Sequence, residues 1–222
     1  MLFALSDIVR MARVAMDENN RSAVLAGFGD EDTLLLDELL LSKVADAARL
    51  VTMSAPLRMV DNGRPMVDED GGNVYGMSGG AGYVLLPADF MRLLVFRMSD
   101  WRRPVTVAVT PESPVYAMQC SPYLGVRGNP DRPVCALVPR SSGLSLEWYS
   151  SGEGAEIAQA QYVARPAVAG GRIDISGRLV RAVAHECGAL ALAAMGETAL
   201  AGVLGQQAMA LAEVETPQTE NV

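Results

Sequence analysis

The chain has 222 residues, enough to bury about 70 % of its unfolded surface in a core without disulfide or metal staples. Half of the residues are apolar and a fifth are charged, which excludes wholesale disorder. Lys and Arg total 18 against 26 Asp and Glu, a net charge of −8, and an acidic surface opposes a nucleic-acid grip built on phosphate neutralisation.

The three cysteines, Cys120, Cys135 and Cys187, form no CxxC pair and leave an odd number. A disulfide framework and a structural zinc site are therefore not expected. The single histidine, His185, excludes a multi-histidine metal centre. Met1 to Met16 is interrupted by Asp7, Arg10 and Arg13, so it reads as a helix rather than a secretory leader. A soluble protein made in the cytoplasm, with no membrane span, is expected.

In chain order, Leu5, Ile8, Val9, Ala12 and Met16 recur at offsets of three and four, which predicts a helix over 2–16. Residues 17–32 are polar, contain Gly27 and Gly29, and read as a loop. A second helix is predicted over 34–53, with Leu36, Leu39, Leu40, Val44, Ala47, Leu50 and Val51 on one side. Pro56 ends it, because the residue before proline avoids the α region. Residues 61–82 are glycine-rich and acidic, which marks turns and an exposed loop.

From Tyr83 to Pro166 the chain is studded with prolines, which exclude long helices. Candidate strands lie at 83–86, 91–98, 105–109, 134–138 and 144–149. In the last of these, Leu144, Leu146 and Trp148 alternate with Ser145, Glu147 and Tyr149. Residues 114–119 suit a short helical turn. Ser176 is a plausible N-cap for a further helix. Its apolar face runs through Val180, Val183, Ala184, Cys187, Leu190, Ala191 and Ala194 to a break at Gly196. A last helix is predicted over about 198–213. The fold class expected is α+β. The N- and C-terminal helices (1–56 and 172–213) form a helical bundle carrying an inserted β-rich lobe (57–171), and 214–222 is a flexible C-terminal tail.

The motifs that could carry chemistry are weak. His185-Glu186-Cys187 lacks the second histidine of a zinc helix, since position 189 is Ala. Residues i and i+2 on a helix diverge by about 200°, so a Cys–His nucleophilic pair is not formed there. Cys187 is expected to pack inward, with His185 and Glu186 toward solvent or an interface. Gly79-Gly80-Ala81-Gly82 lacks the Gly-Lys-Ser/Thr of a phosphate loop and reads as a hairpin loop. Asp68-Glu69-Asp70 lacks the closing glutamate of a calcium loop. Trp101-Arg102-Arg103 offers an aromatic beside two cations, which suits interface anchors for a protein partner, or simple packing within the lobe. No catalytic residue, cofactor or metal is expected, and the chain reads as a non-enzyme.

Four stretches carry a resemblance. They are DELLLSKVADAARLVTMSAP (37–56), LPADFMRLLVFRMSDWRRP (86–104), SPVYAMQCSPYLGVRGNPDRP (113–133) and LEWY (146–149). A helix ending in "AP", then "LPxDFxRL", then "SDWxRPV", resembles the head–tail connector proteins of gut Bacteroidetes phages. These include the ring or adaptor proteins of crAss-like phages; the adaptors of other short-tailed phages are similar in plan. The chain is richer in alanine and arginine than those relatives.

The resemblance implies a structural virion protein of the neck or tail. It would form a homo-oligomeric ring, commonly of twelve subunits, beneath the portal protein. The ring would dock the tail or further ring proteins and let double-stranded DNA pass without specific binding, as in genome ejection. By analogy, Val214, Glu215, Thr216, Pro217, Gln218 and Thr219 belong to a portal-docking tail. Two other readings stay open. One is a non-enzymatic β-rich module for glycan or tail-fibre attachment, with Trp101, Tyr123, Trp148 and Tyr149 as its clustered aromatics. The other is a small hydrolase using Cys120 or Cys187.

Overall fold

The computed structural model describes residues 1–16, 36–61, 63–123 and 126–213. The loop expected at 17–32 and the tail expected at 214–222 lie outside the described residues. The first elements in chain order are strand β1 (Leu2–Ala4), helices α1 (Leu5–Ala15) and α2 (Leu36–Ser54), and strands β2 (Gly63–Pro65), β3 (Val74–Gly76), β4 (Gly82–Leu85) and β5 (Phe90–Met98). Helix α3 (Pro114–Gln119) and strands β6 (Cys135–Arg140), β7 (Gly143–Trp148), β8 (Ile157–Ala164), β9 (Val168–Ala169) and β10 (Arg172–Asp174) follow. Helices α4 (Val180–Ala194) and α5 (Thr198–Glu213) close the described chain. The protein is therefore mixed α and β, and it divides into two compact units, 1–62 with 165–222, and 63–164.

In the first unit α4 is the central element and packs against α1, α2 and α5. Its sequence explains this position. Ala182, Val183, Ala184, Cys187, Gly188, Ala189, Ala191 and Leu192 are buried, so apolar residues cover far more than one stripe, and a helix apolar nearly all round belongs in a core. A Cβ at Gly188 would lie 3.0 Å from Met16 Cγ and 3.5 Å from Leu204 Cδ1, so glycine there lets two neighbours approach closely. Helix α1 contributes buried Ile8, Val9 and Ala12. Helix α2 contributes Leu40, Val44, Ala47, Ala48 and Val51. Leu50, placed by periodicity on the apolar face of α2, is 47 % exposed instead.

The chain passes from α4 to α5 through a left-handed residue, Gly196, at φ 88°. Glu197 N–H donates to the Leu192 carbonyl and Gly196 N–H to that of Ala193, the paired bonds that close a helix end on glycine. Ser176 Oγ accepts from Arg178 N–H at 3.3 Å and opens the turn leading into α4, as the sequence predicts.

Three differences from the sequence reading arise here. The first helix begins at Leu5, because Leu2–Ala4 pairs antiparallel with β10 (Leu2 opposite Asp174, Ala4 opposite Arg172) and a sheet claims those backbone groups first. Residues 57–61 and 165–171, expected in the insertion, belong to the helical unit. Met59 is buried and its carbonyl accepts from Ser176 Oγ at 2.7 Å, and β9 completes the sheet β1-β10-β9. Residues 105–109 form no strand. Val105 exchanges two 2.8 Å hydrogen bonds with Phe96, and Val109 bridges Ala136, so only the ends of the segment pair.

The second unit contains two antiparallel sheets, β2-β8-β5 and β3-β4-β7-β6. They share one apolar core that includes Leu93, Phe96 and Tyr162 from one sheet and Val84, Leu146 and Trp148 from the other. Phe96 is its aromatic hub, edge-on to Trp101 at 5.7 Å and tilted on Trp148 at 5.2 Å. The β5–β8 pairing carries three register irregularities, which bend a ladder locally. Strand β8 escapes sequence reading because its middle, Ala158-Gln159-Ala160-Gln161, has neither β-branched nor aromatic residues. Its place between β2 and β5 supplies the pairing that propensity does not.

Candidate functional site

The alternation of β7 sends Leu146 and Trp148 into the core and Ser145 and Glu147 to the other face of the sheet. That second face is also covered, since Ser145 is fully buried and Glu147 is 2 % exposed. A buried carboxylate requires charge and hydrogen-bond partners, and Glu147 has both. Arg140 Nη2 donates to Oε1. Tyr149 Oη donates to Oε2 at 2.9 Å and Tyr116 Oη to the same oxygen at 3.2 Å.

Arg140 is held in turn. Its Nε donates to Ser145 Oγ at 3.1 Å, and its guanidinium lies 3.9 Å from the centre of the Tyr83 ring. Tyr75 stacks on the same Tyr83 at 4.8 Å, as its cross-strand partner. Tyr116 is carried by α3, whose first turn is capped by Ser113 Oγ accepting from Val115 N–H. Burial pushes both phenols up, most strongly at Tyr149, where the bonds to Tyr116 and Glu147 add to it. Both therefore stay protonated and remain donors across the neutral range. With three donors on one enclosed carboxylate, the network ties α3 to the sheet.

The residues singled out in the sequence scatter. Trp101 is 1 % exposed and lies in the core of the β unit, so of the two readings it is the lobe-packing residue and not the partner anchor. A Trp beside proline and arginines looks like an anchor in sequence, but Phe96 supplies the surface it needs. Arg102 and Arg103 are exposed. Arg102 reaches Asp131 at 2.7 Å. Of the aromatics expected to cluster for glycan binding, Trp101 and Trp148 are buried and Tyr123 is 74 % exposed.

Cys187 points inward as expected, its thiol 3.3 Å from the Leu40 carbonyl. Burial, and then Glu186, push it up to about 12, so it is a thiol rather than a nucleophilic thiolate. Cys135 is raised well above the usual range by burial alone. Glu186 is 9 % exposed rather than solvent-facing, and desolvation raises its pKa. The Gly79–Gly82 run is a hairpin loop, with Gly79 at φ 73° and Gly80 at φ 79° leading into β4. Among the described residues no His, Cys, Asp and Glu group is arranged to hold a metal ion. No described helix is long and apolar enough to cross a membrane.

Among the described residues of the helical unit, two outward faces carry exposed apolar side chains. Helix α5 carries no charged residue from Thr198 to Ala212, and Leu200, Val203 and Met209 are 56, 52 and 37 % exposed. On α2, Leu41, Leu50 and Met53 are also exposed. The two faces adjoin where Ser54 Oγ lies 3.5 Å from Met209 Sδ. The sequence signal for this surface was the absence of charge in α5, which reads equally as a buried helix. No protein-family model matches the chain, and no curated protein matches its sequence.

Proposed function

We propose that this chain is a structural virion protein, a head–tail connector whose copies close into a ring below the portal. In this reading the helices of the chain ends form a bundle that builds the ring, and the β unit is the platform for the tail or further ring proteins. The observation that carries it is the uncharged, exposed face of α5, continued by Leu50 and Met53 of α2. A helix with Leu200 and Val203 in water gains by covering them with another protein surface. In a closed ring that cover is heterologous, a different patch on the next copy. The resemblance of 86–133 to phage connectors supplies the identity of the assembly. Residues 214–222 are the portal-docking segment in this reading, and the net charge of −8 suits a channel that DNA crosses without adhering.

Mass photometry of the full chain, alone and with a portal protein, tests the proposal. Ring-sized particles are expected, and Val203→Glu should dissolve them while leaving the circular dichroism spectrum intact. A chain that stays monomeric in both conditions overturns it. Equal portal affinity for the full chain and one ended at Glu213 defeats the docking role of Val214 to Thr219. Tight duplex-DNA binding at physiological salt defeats the passive channel.

A further inference from the structure

Glu186 lies where α4 meets α5. It is 9 % exposed, and its carboxylate has neither a hydrogen-bond donor nor a cation among the described residues. Both of its oxygens keep some contact with solvent. Oε2 stands against Gly205 of α5, 3.9 Å from the place a Cβ would take there. A Cβ at Gly202, nearly one turn earlier, would meet nothing within 4 Å. The two glycines share an edge of α5 with Met209, which is 37 % exposed and reaches Ser54 of α2. Without side chains at 202 and 205, a foreign side chain has room beside the carboxylate.

The charge of this notch says what fits it. A carboxylate that is nine-tenths buried and unmatched calls for a cation. The same chain carries the complement. A groove of about 340 Å³ between α1 and α4 is lined by Met11, Val14, Ala15, Arg181, Ala184 and His185, with no carboxylate in that lining. Val14 is 54 % exposed there. Arg181 is exposed and has no carboxylate partner among the described residues. Ala184 in the groove and Glu186 in the notch are two positions apart, about 200° round the helix. Groove and notch therefore open on different sides of α4, as a heterologous contact between copies requires.

We propose that Arg181 of one copy enters the notch at Gly205 of the next copy and pairs with Glu186 there, while Leu200 and Val203 of that α5 cover the groove between α1 and α4. The inference rests on the ring reading and names the two patches that close it. Arginine suits such a site, because its apolar stem packs on glycine and methionine while its guanidinium reaches the carboxylate. The uncharged face of α5 and the apolar groove are both covered in the same step. Each free copy carries Glu186 as an orphaned charge, and the contact matches it.

The test is mass photometry of the full chain over a dilution series, alone and with a portal protein. Glu186→Gln keeps the shape of the side chain, and Arg181→Gln changes an exposed one. Each should raise the concentration at half assembly at least about tenfold, with the helical circular dichroism retained. The double variant Arg181→Gln/Glu186→Gln should assemble no worse than the weaker single variant, because the two residues form one pair. Rings as stable in Glu186→Gln as in the unaltered chain overturn the inference and leave the ring itself standing. An unmoved Arg181→Gln, or a double variant weakened by both single effects combined, overturns Arg181 as the partner. An unaltered chain that stays monomeric in both conditions overturns the ring and this contact with it.

Discussion

The two units solve the problem of burial in opposite ways. The helical unit surrounds one helix, α4, with small apolar residues, and its cysteine, Cys187, serves as one more small apolar group. The β unit has an apolar core on one face of β7, and on the other a buried carboxylate satisfied by Arg140, Tyr116 and Tyr149. The first design depends on volume and the second on pairing. A helix covered by neighbours tolerates no charge, whereas a strand with two covered faces can use one of them for polar groups if every group is matched.

Both tryptophans lie in the β unit and the four longest helices in the other. Tryptophan fluorescence and far-ultraviolet circular dichroism therefore follow the two designs separately. The largest effect is expected from Ala191→Asp, which places a carboxylate at a fully buried site of α4. It should cost on the order of 4 kcal/mol or more and remove the helical signal in urea melts before the fluorescence transition. If the helical midpoint is unmoved, α4 is not the closed centre described.

Next comes Arg140→Ala, which leaves Glu147 enclosed without its cation. A loss of about 3 kcal/mol is expected, read in the fluorescence transition. The double variant Arg140→Met/Glu147→Gln should recover most of it, because matched apolar and neutral groups replace an orphaned charge. If the single and double variants are equally unstable, the contribution is packing rather than pairing.

Glu186 is the exception within the helical unit, a carboxyl whose pKa burial raises. A folded-state value above the unfolded one means that the ionised form costs stability at neutral pH. That cost fades as pH falls through the raised value towards the ordinary carboxylate range. Glu186→Gln should therefore raise the melting temperature by roughly 2–4 °C at pH 7, with the gain vanishing near pH 4. A gain that is constant with pH would mean that shape, not charge, is responsible. The smallest effect is expected from Arg102→Ala. Its pair with Asp131 has side chains 80 % and 64 % exposed, and a change within about 0.5 kcal/mol in either transition is expected.

Much of the secondary structure is legible in the residues. The helix over 36–54 follows from the Leu40, Val44, Ala47, Val51 spacing, and the helix after Ser176 from its cap and apolar run. The facing of β7 follows from the Leu146, Trp148 alternation. What lies outside local pattern was missed. Strand β8 has weak strand formers and is a strand because β2 and β5 flank it. Residues 2–4 look helical and are extended because β10, about 170 positions later, offers a ladder, and no local preference outweighs such pairing. Trp101 looks like an anchor and is a core residue for the same kind of reason.

The candidate surfaces divide in the same way. The lack of charge in α5 is written in the sequence, but its exposure is not, because an uncharged apolar helix reads equally as buried. The Glu147 network joins residues from 83 to 149 and exists only once β4, β6 and β7 are paired and α3 covers their outer face. By itself the sequence determined which segments are periodic, where helices are capped and broken, and that no reactive motif is spelled out along the chain, since all of these depend on neighbours within a turn or a strand. The tertiary structure alone decided which apolar residues are covered and which carboxylates are enclosed. Burial and matching depend on groups that the chain brings together across tens of residues.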